Sequence, residues 1–385
     1  MFIDIDCARQ KKYSQNAYGD YFASKRAPGR VIAVLSDGLG SGIKANILSC
    51  MTATMLLKFI EAGADIRKAC EIILNSLPVC KVRKISYSTF SAIDCAEDGT
   101  ARIVEEGNPK FIWIRGGNIL DFQPQTVASK TFADRQMRIY DIKLEIEDRL
   151  IFCSDGVTQA GLGSNGLKLG LRRDGVIGFI LRLLYDDPFI SSRDLSKSVV
   201  EFALSAESFR KAKDDISAVS IYFRSPRKAL VFTGPPYHAE KDNEYANAFK
   251  NFDGKKAICG GTTANVVSRE LNVPVRAKIS VNSGALPSLM EMQGVDLVTE
   301  GVLTMTRAAQ YLEDAESAIS DDAAGQLVKF FLDSDCIDFM VGAKVNPSHY
   351  DPNLPVELEI RKNIVKKISK LLEEKHIKKV TLQYI

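Results

Sequence analysis

The sequence predicts an α+β fold over residues 1–224 and an α/β fold over residues 228–385, and three observations carry that division. Between Ser88 and Phe122 the apolar residues recur at every second position in hairpin-length runs, so the sheet there is antiparallel. Two blocks of helical periodicity sit between groups of strand-like runs, which argues for two sheets covered by helices and against a repeating βαβ array. After Arg224-Ser225-Pro226-Arg227 strands and helices alternate singly, as in a three-layer α/β domain.

In order, Phe2 to Cys7 alternates like a strand, and a polar passage follows through Gly19-Asp20-Tyr21-Phe22. Val31 to Ser36 is nearly continuous in apolar residues, the mark of a strand buried on both faces. Ser41 or Gly42 can then cap a helix carrying Ile43, Ile47, Met51, Met55 and Phe59 on one stripe. Gly63 stops it, and Asp65 can cap a second helix to about Leu77. Thr89–Ile93 with Thr100–Glu106, and Lys110–Arg115 with Asn118–Phe122, read as hairpins around Glu97-Asp98-Gly99 and Gly116-Gly117. Met137–Leu144 and Arg149–Ser154 read as a further strand pair. Val176–Leu184 and Asp194–Phe209 read as helices, and Ile216–Phe223 as a closing strand.

At 385 residues the chain is long for one core, so two domains are expected. A net charge of +3 gives no case for nucleic acid or a membrane surface as partner. The eight cysteines, at 7, 50, 70, 80, 95, 153, 259 and 336, stand singly and form no CxxC pair. They read as reduced core thiols, which points to the cytoplasm. No apolar stretch is expected to reach membrane-spanning length, and the start of the chain lacks the apolar core of a signal peptide.

The chemistry lies in four acidic positions. Ser36-Asp37-Gly38 and Ser154-Asp155-Gly156 repeat one pattern: apolar strand, serine, aspartate, glycine. Gly19-Asp20 and Lys213-Asp214-Asp215-Ile216-Ser217 place further carboxylates beside strand-like runs. A glycine after the aspartate lets the backbone turn tightly and bring a carbonyl toward a cation. Hard divalent ions take oxygen ligands, and a pair of them can clamp a phosphate and activate a water. Any one Asp-Gly pair is more commonly an ordinary turn; the case is in four carboxylates set at strand ends in this order.

Gly19-Asp20, Asp37-Gly38-Leu39-Gly40-Ser41-Gly42, Phe152-Cys153-Ser154-Asp155-Gly156-Val157-Thr158 and Asp214-Asp215-Ile216-Ser217 together resemble the motif series of the metal-dependent (protein phosphatase 2C-like) protein phosphatases. The resemblance is to the bacterial branch of stage II sporulation protein E and the sigma-factor regulatory phosphatases. It implies a four-layer α-β-β-α sandwich with two Mn²⁺ or Mg²⁺ ions, hydrolysing phosphoserine or phosphothreonine on a partner protein. By the resemblance, Asp37 bridges both ions, Gly38 offers its carbonyl, and Asp155 and Asp214 hold the second ion. Asp20 holds an ion or its water, and Asp215 stands behind the ligands, although sequence does not rank Asp214 over Asp215. Animal members have a histidine after the central Asp-Gly; here that position is Leu39, and the three histidines (238, 349, 376) all lie in the second half. Arg9, Lys11 and Lys12 could meet a substrate phosphate or form a solvated basic face. The alternative function is a phosphoprotein-sensing module without turnover, and a homodimer is left open.

In the second half, Ala229–Thr233, Lys256–Cys259, Val295–Val298, Cys336–Val341 and Val380–Tyr384 read as strands. Helices are expected at Glu240–Phe249, up to Leu271, at Thr304–Ala315, Asp322–Leu332 and Arg361–Lys375, with a separate short apolar run at Val356–Ile360. Gly260-Gly261-Thr262-Thr263, after a strand and before a helix, could cradle a small anion, and a tight turn with a threonine cap explains it equally well. The expected role of this domain is regulatory or ligand-binding.

Overall fold

The structure, a computed structural model, describes residues 1–76, 88–128, 135–163, 166–277, 289–314, 320–343 and 354–385. The chain divides into two compact units, Met1–Ser225 and Pro226–Ile385.

In the first unit the elements are β1 (Phe2–Gln10), β2 (Asp20–Ala27), β3 (Arg30–Gly38), α1 (Ile43–Glu61), α2 (Ile66–Ser76), β4 (Ser88–Ala96), β5 (Thr100–Glu106), β6 (Ile112–Arg115), β7 (Asn118–Leu120), β8 (Gln125–Ala128), β9 (Gln136–Lys143), β10 (Arg149–Cys153), α3 (Asp155–Thr158), α4 (Arg172–Asp186), α5 (Ser192–Ala206) and β11 (Ile216–Arg224). They form a six-stranded sheet of order β2-β3-β4-β5-β9-β8 and a five-stranded sheet of order β1-β11-β10-β6-β7. All described pairings in both are antiparallel. Helices α1 and α2 bury Ala53, Leu56, Ile60 and Ile73 against Ile32 and Val34 of the larger sheet. Helices α4 and α5 bury Ile180, Leu195 and Val199 against Ile151 and Ala218 of the smaller one. Burying one such aliphatic side chain contributes roughly 1.5–3 kcal/mol. Between the sheets, the Phe111 ring packs edge-on to Tyr140 of β9 at 4.9 Å and stacks on Phe152 of β10 at 5.5 Å. The result is the expected α-β-β-α layering.

Five expectations are corrected. Residues 20–27 are strand β2, paired along its length with β3, where sequence shows a polar passage: its side chains are half-buried and its apolar signal weak. Strands β9 and β10 do not pair with each other; β9 joins β5 and β8, and β10 joins β11 and β6, because the chain crosses between sheets at the Glu145–Asp148 turn. Helix α5 ends at Ala206, and Phe209 lies beyond it in a separate turn with φ 56°. Helix α1, at 19 residues, is by length and composition apolar enough to cross a bilayer. Here it packs through Ala45, Thr52, Ala53, Leu56 and Ile60. Finally, Val356–Ile360 is part of a long helix that begins at Leu354. The expected helix ends at Leu77 and Ala315 lie outside the described residues.

The second unit comprises β12 (Lys228–Thr233), α6 (Asp242–Asn251), β13 (Lys255–Cys259), α7 (Gly261–Leu271), β14 (Val275–Ala277), β15 (Met290–Met292), β16 (Leu297–Thr299), α8 (Val302–Glu313), α9 (Ala323–Leu332), β17 (Cys336–Val341), α10 (Leu354–Glu374) and β18 (Lys379–Tyr384). Its sheet runs β14-β15-β16-β13-β12-β17-β18, with the last five strands parallel. Met305, Leu327, Phe331 and Val365 cover one face, and Tyr245, Phe249, Ala264 and Val267 the other, giving three layers.

Candidate metal centre

Four strand ends in the first unit carry the acidic residues to one place. Asp20 opens β2 and Asp37 is the last residue but one of β3, and their Cα positions are register partners. Asp155 begins α3 directly after β10, and Asp214 and Asp215 precede β11, the hydrogen-bonded neighbour of β10. Serines lock the crossing: the Ser154 N–H donates to the Ser217 carbonyl at 3.0 Å, and the Ser217 N–H to Ser154 Oγ at 3.1 Å.

Two glycines bring backbone against backbone. A Cβ on Gly38 would stand 2.1 Å from the Ala45 carbonyl oxygen, and one on Gly156 would stand 2.0 Å from that of Asp215. Neither has space for any larger residue. The Gly38 N–H also donates to the Gly19 carbonyl at 3.2 Å, tying the Asp37 turn to the residue before Asp20.

The electrostatics show an unbalanced cluster. Burial pushes Asp37 up to about 10, and Asp20, Asp155 and Asp214 add to the shift. Asp37 and Asp155 are coupled carboxyls, and their interaction raises Asp37 while it lowers Asp155. Burial pushes Asp20 up to about 7; the Ser217 and Ser154 hydroxyls pull against it, and Asp215 and Asp214 add to it. Those hydroxyls polarise the carboxyl without closing a hydrogen bond on Oδ2, which is buried and has no partner among the described residues. Asp155 is raised by burial and by Asp214, and its Oδ2 accepts from Gln159 Nε2 at 2.8 Å. Asp215 differs from the rest: Oδ1 accepts from the Lys12 N–H at 3.2 Å and Oδ2 from the Gly19 N–H at 2.9 Å, so both oxygens hold backbone. Asp214 Oδ1 accepts the Asp215 N–H at 3.0 Å.

Among the described residues none of Asp20, Asp37, Asp155 and Asp214 forms an ion pair, and the nearby Arg9 guanidinium donates instead to the Asp20 backbone carbonyl at 3.3 Å. Among the described residues no three His, Cys, Asp or Glu side chains form a ready-made ion cage. Mg²⁺-type ions keep several waters and take one or two carboxylates each, so pairs suffice. The coupling of Asp37 to Asp155 and Asp20, and the orphaned Asp20 oxygen, fit hard cations on that basis. Sequence reasoning missed Ser154, Ser217 and Gln159 as supports of the cluster. Gln159 is legible as one helical turn beyond Asp155.

Elsewhere, Gly260 precedes α7 with φ 130°, and the buried Thr263 hydroxyl accepts the Gly234 N–H at 2.8 Å, so it serves the fold of the second unit. Gly261 and Thr262 form the first turn of α7, and no side chain caps that helix.

An α-β-β-α sandwich with aspartates gathered at its strand ends is the architecture of the metal-dependent protein phosphatases. A family model described as Stage II sporulation protein E (SpoIIE) matches residues 27–224, more than half of the chain, and the chain belongs to that family. Stage II sporulation protein E of Bacillus subtilis (strain 168) is 30% identical over 128 residues, covering 32% of this chain and 15% of that protein. The chain thus spans less than a sixth of that relative's length. The solved phosphatase domain of the Bacillus subtilis protein, with a fragment of its regulatory domain, is 19% identical, covering 58% of this chain and 63% of that one, with a TM-score of 0.48. A structure of RsbX in complex with magnesium is also 19% identical, covering 57% of this chain and 94% of that one, with a TM-score of 0.41.

Proposed function

We propose that the chain is a phosphoserine/phosphothreonine protein phosphatase that works through two Mn²⁺ or Mg²⁺ ions, acting on a regulatory phosphoprotein. The observation that carries this reading is the coupling of Asp20, Asp37, Asp155 and Asp214 into one cluster, with Asp20 buried and the other three partly buried, in a chain of the SpoIIE family. Asp37, central in the cluster, would hold both ions with the Gly38 carbonyl beside it; Asp155 and Asp214 would hold the second, and Asp20 an ion or its water. When bound, such ions supply an activated water and neutralise charge on the phosphoryl group. Gln159 keeps the Asp155 carboxylate oriented. Asp215 fixes the backbone of Lys12 and Gly19, and through Gly19 the start of β2. Leu39 follows the central Asp-Gly and no histidine lies in the first unit, so the departing seryl oxygen takes its proton from another source.

The test is hydrolysis of p-nitrophenyl phosphate by the full chain. Turnover is expected with Mn²⁺ or Mg²⁺ and absent in EDTA, and Asp37→Asn is expected to abolish it while the protein remains folded. Turnover that survives chelation contradicts the reading. The sensing alternative would be selected by binding of a phosphoprotein without any turnover. In this reading the second unit regulates the first or recruits its partner. A cytoplasmic setting accords with the seven described cysteines, all of them free thiols.

A further inference from the structure

Two segments border the acidic centre and carry cations without a carboxylate partner among the described residues. One is residues 9–19, the end of β1 and the passage to β2, and the other is residues 207–213, between α5 and β11. They are joined to each other: the Tyr13 N–H donates to the Ala212 carbonyl at 2.8 Å, and Lys211 Nζ lies 4.5 Å from the centre of the Tyr13 ring. Both are joined to the centre through Asp215, which accepts from Lys12 and Gly19 and adjoins Asp214.

Phe209 stands out in this border. It is 93% exposed, and its φ of 56° is a left-handed backbone that an aromatic residue rarely adopts. Arg210 follows at φ 53°. The pose is enforced by the turn around it, where the Arg210 N–H donates to the Glu207 carbonyl at 3.0 Å and the Lys211 N–H to the Ser208 carbonyl at 3.1 Å. A single exposed ring is common on a surface, and it is the left-handed pose of two successive residues beside the acidic centre that sets Phe209 apart.

The same border is basic. Arg9 and Lys11 lie over the Tyr18 ring at 4.6 and 5.6 Å, Lys211 over Tyr13, and Lys213 Nζ donates to the Leu162 carbonyl at 2.8 Å. Among the described residues none of these four, nor Lys12, forms an ion pair with a carboxylate. Elsewhere on this unit exposed cations commonly do, as Lys25 with Glu61 and Arg102 with Asp65.

We propose that this border reads the residues flanking the phosphorylated side chain, and that it selects a flexible segment with acidic residues beside the phosphoserine or phosphothreonine and an apolar residue to cover Phe209. The inference rests on the phosphatase reading and adds its substrate class. Cations without a carboxylate partner beside the acidic centre steer and orient an acidic peptide, although Arg9 also holds the Asp20 carbonyl at 3.3 Å, and the exposed ring supplies the apolar anchor. An extended polyanion is disfavoured, because its continuous charge would lie across the acidic centre itself.

The test uses the full chain with Mn²⁺ and three labelled peptides of equal length. Each carries a non-hydrolysable phosphonate mimic of phosphoserine flanked by Glu, Gln or Lys, and binding is read by fluorescence anisotropy. The Glu-flanked peptide is expected to bind about tenfold more tightly than the Lys-flanked one at low salt, with the ratio shrinking as salt rises. Lys211→Glu is expected to bring the ratio close to one; because folding affects both peptides alike, the ratio isolates recognition. Phe209→Ala is expected to weaken a Glu-flanked peptide carrying a leucine and to leave one lacking it unchanged. Equal binding of the three peptides, a ratio indifferent to Lys211→Glu, or tighter binding of polyuridylate than of the Glu-flanked peptide would each overturn the proposal. Turnover of p-nitrophenyl phosphate by the same preparation reports separately on the phosphatase reading: turnover without peptide preference removes only the border's role, and preference without turnover removes only catalysis.

Discussion

Asp20 and Asp37 face each other as register partners across the β2–β3 ladder, at the end of the six-stranded sheet. Burial is the main cause that pushes Asp20 up to about 7, with Asp215 and Asp214 adding to it, and Asp37 up to about 10, with the facing Asp20 adding to it. A fold that keeps such a pair without a cation does so at a cost in stability.

That cost is measurable. Both carboxyls have folded pKa values raised above the unfolded value near 3.8, so their contribution to stability is complete below about pH 4 and is lost as pH rises through 7 and on to 10. In EDTA, Asp37→Asn is therefore expected to melt higher than the wild type at pH 8, by at least about 2 °C, the scale of 1 kcal/mol for a unit of this size. At pH 4 the two proteins are expected to melt together. A variant less stable at pH 8 would show that Asp37 supports the fold on its own.

Cation binding has to displace the protons that Asp37 and Asp20 retain. Calorimetric titration of the full chain with MnCl₂ at pH 7, in buffers of different ionisation enthalpy, is expected to show about one proton released per chain. Binding with no proton release would mean that the ions sit away from this pair.

Gly38 and Gly156 test the close backbone approach. Gly156→Ala would drive a methyl into the Asp215 carbonyl, and Gly38→Ala into that of Ala45. Each is expected to destabilise by about 1–3 kcal/mol or more and to lower phosphatase turnover. Gly178→Ala, an exposed helical position in α4 with nothing within 4 Å, is expected to stabilise by roughly 0.5–1 kcal/mol. Denaturant melts of the three variants decide the comparison.

Glu105, fully buried in β5, is pushed up to about 7 by burial, with Arg138 and the Phe111 N–H pulling against it. Its contribution to stability is complete below about pH 4.5 and is lost as pH rises through 7. Glu105→Gln is expected to flatten the fall of melting temperature between pH 5 and 8. An unchanged slope would assign that fall to other groups.

The residues that announced the site are those whose surroundings are local. An apolar run ending in Ser-Asp-Gly needs a strand, a turn and a carboxylate within a few positions, and Asp37 and Asp155 could be read from that alone. Asp20 was legible as an acidic residue but not as the start of a strand, since Asp20–Ala27 is half-buried and alternates weakly. The placement of β9 and β10 in different sheets was illegible because alternation fixes which way side chains point and says nothing about which neighbour a strand finds. Asp215 could not be ranked against Asp214 in sequence; the structure shows it holding the backbone of Lys12 and Gly19, partners about 200 positions away. The exposed pose of Phe209 was hidden because helical periodicity runs past Ala206, while the turn that ends the helix is set by Glu207 in an extended conformation.

The most direct measurement is anomalous diffraction at the manganese edge from crystals of the full chain soaked in MnCl₂. Two manganese peaks are expected, bordered by the Asp37 carboxylate, with Asp155 and Asp214 on the second. Crystals with ordered Asp20, Asp37, Asp155 and Asp214 but no manganese within coordination distance of any of them would contradict it.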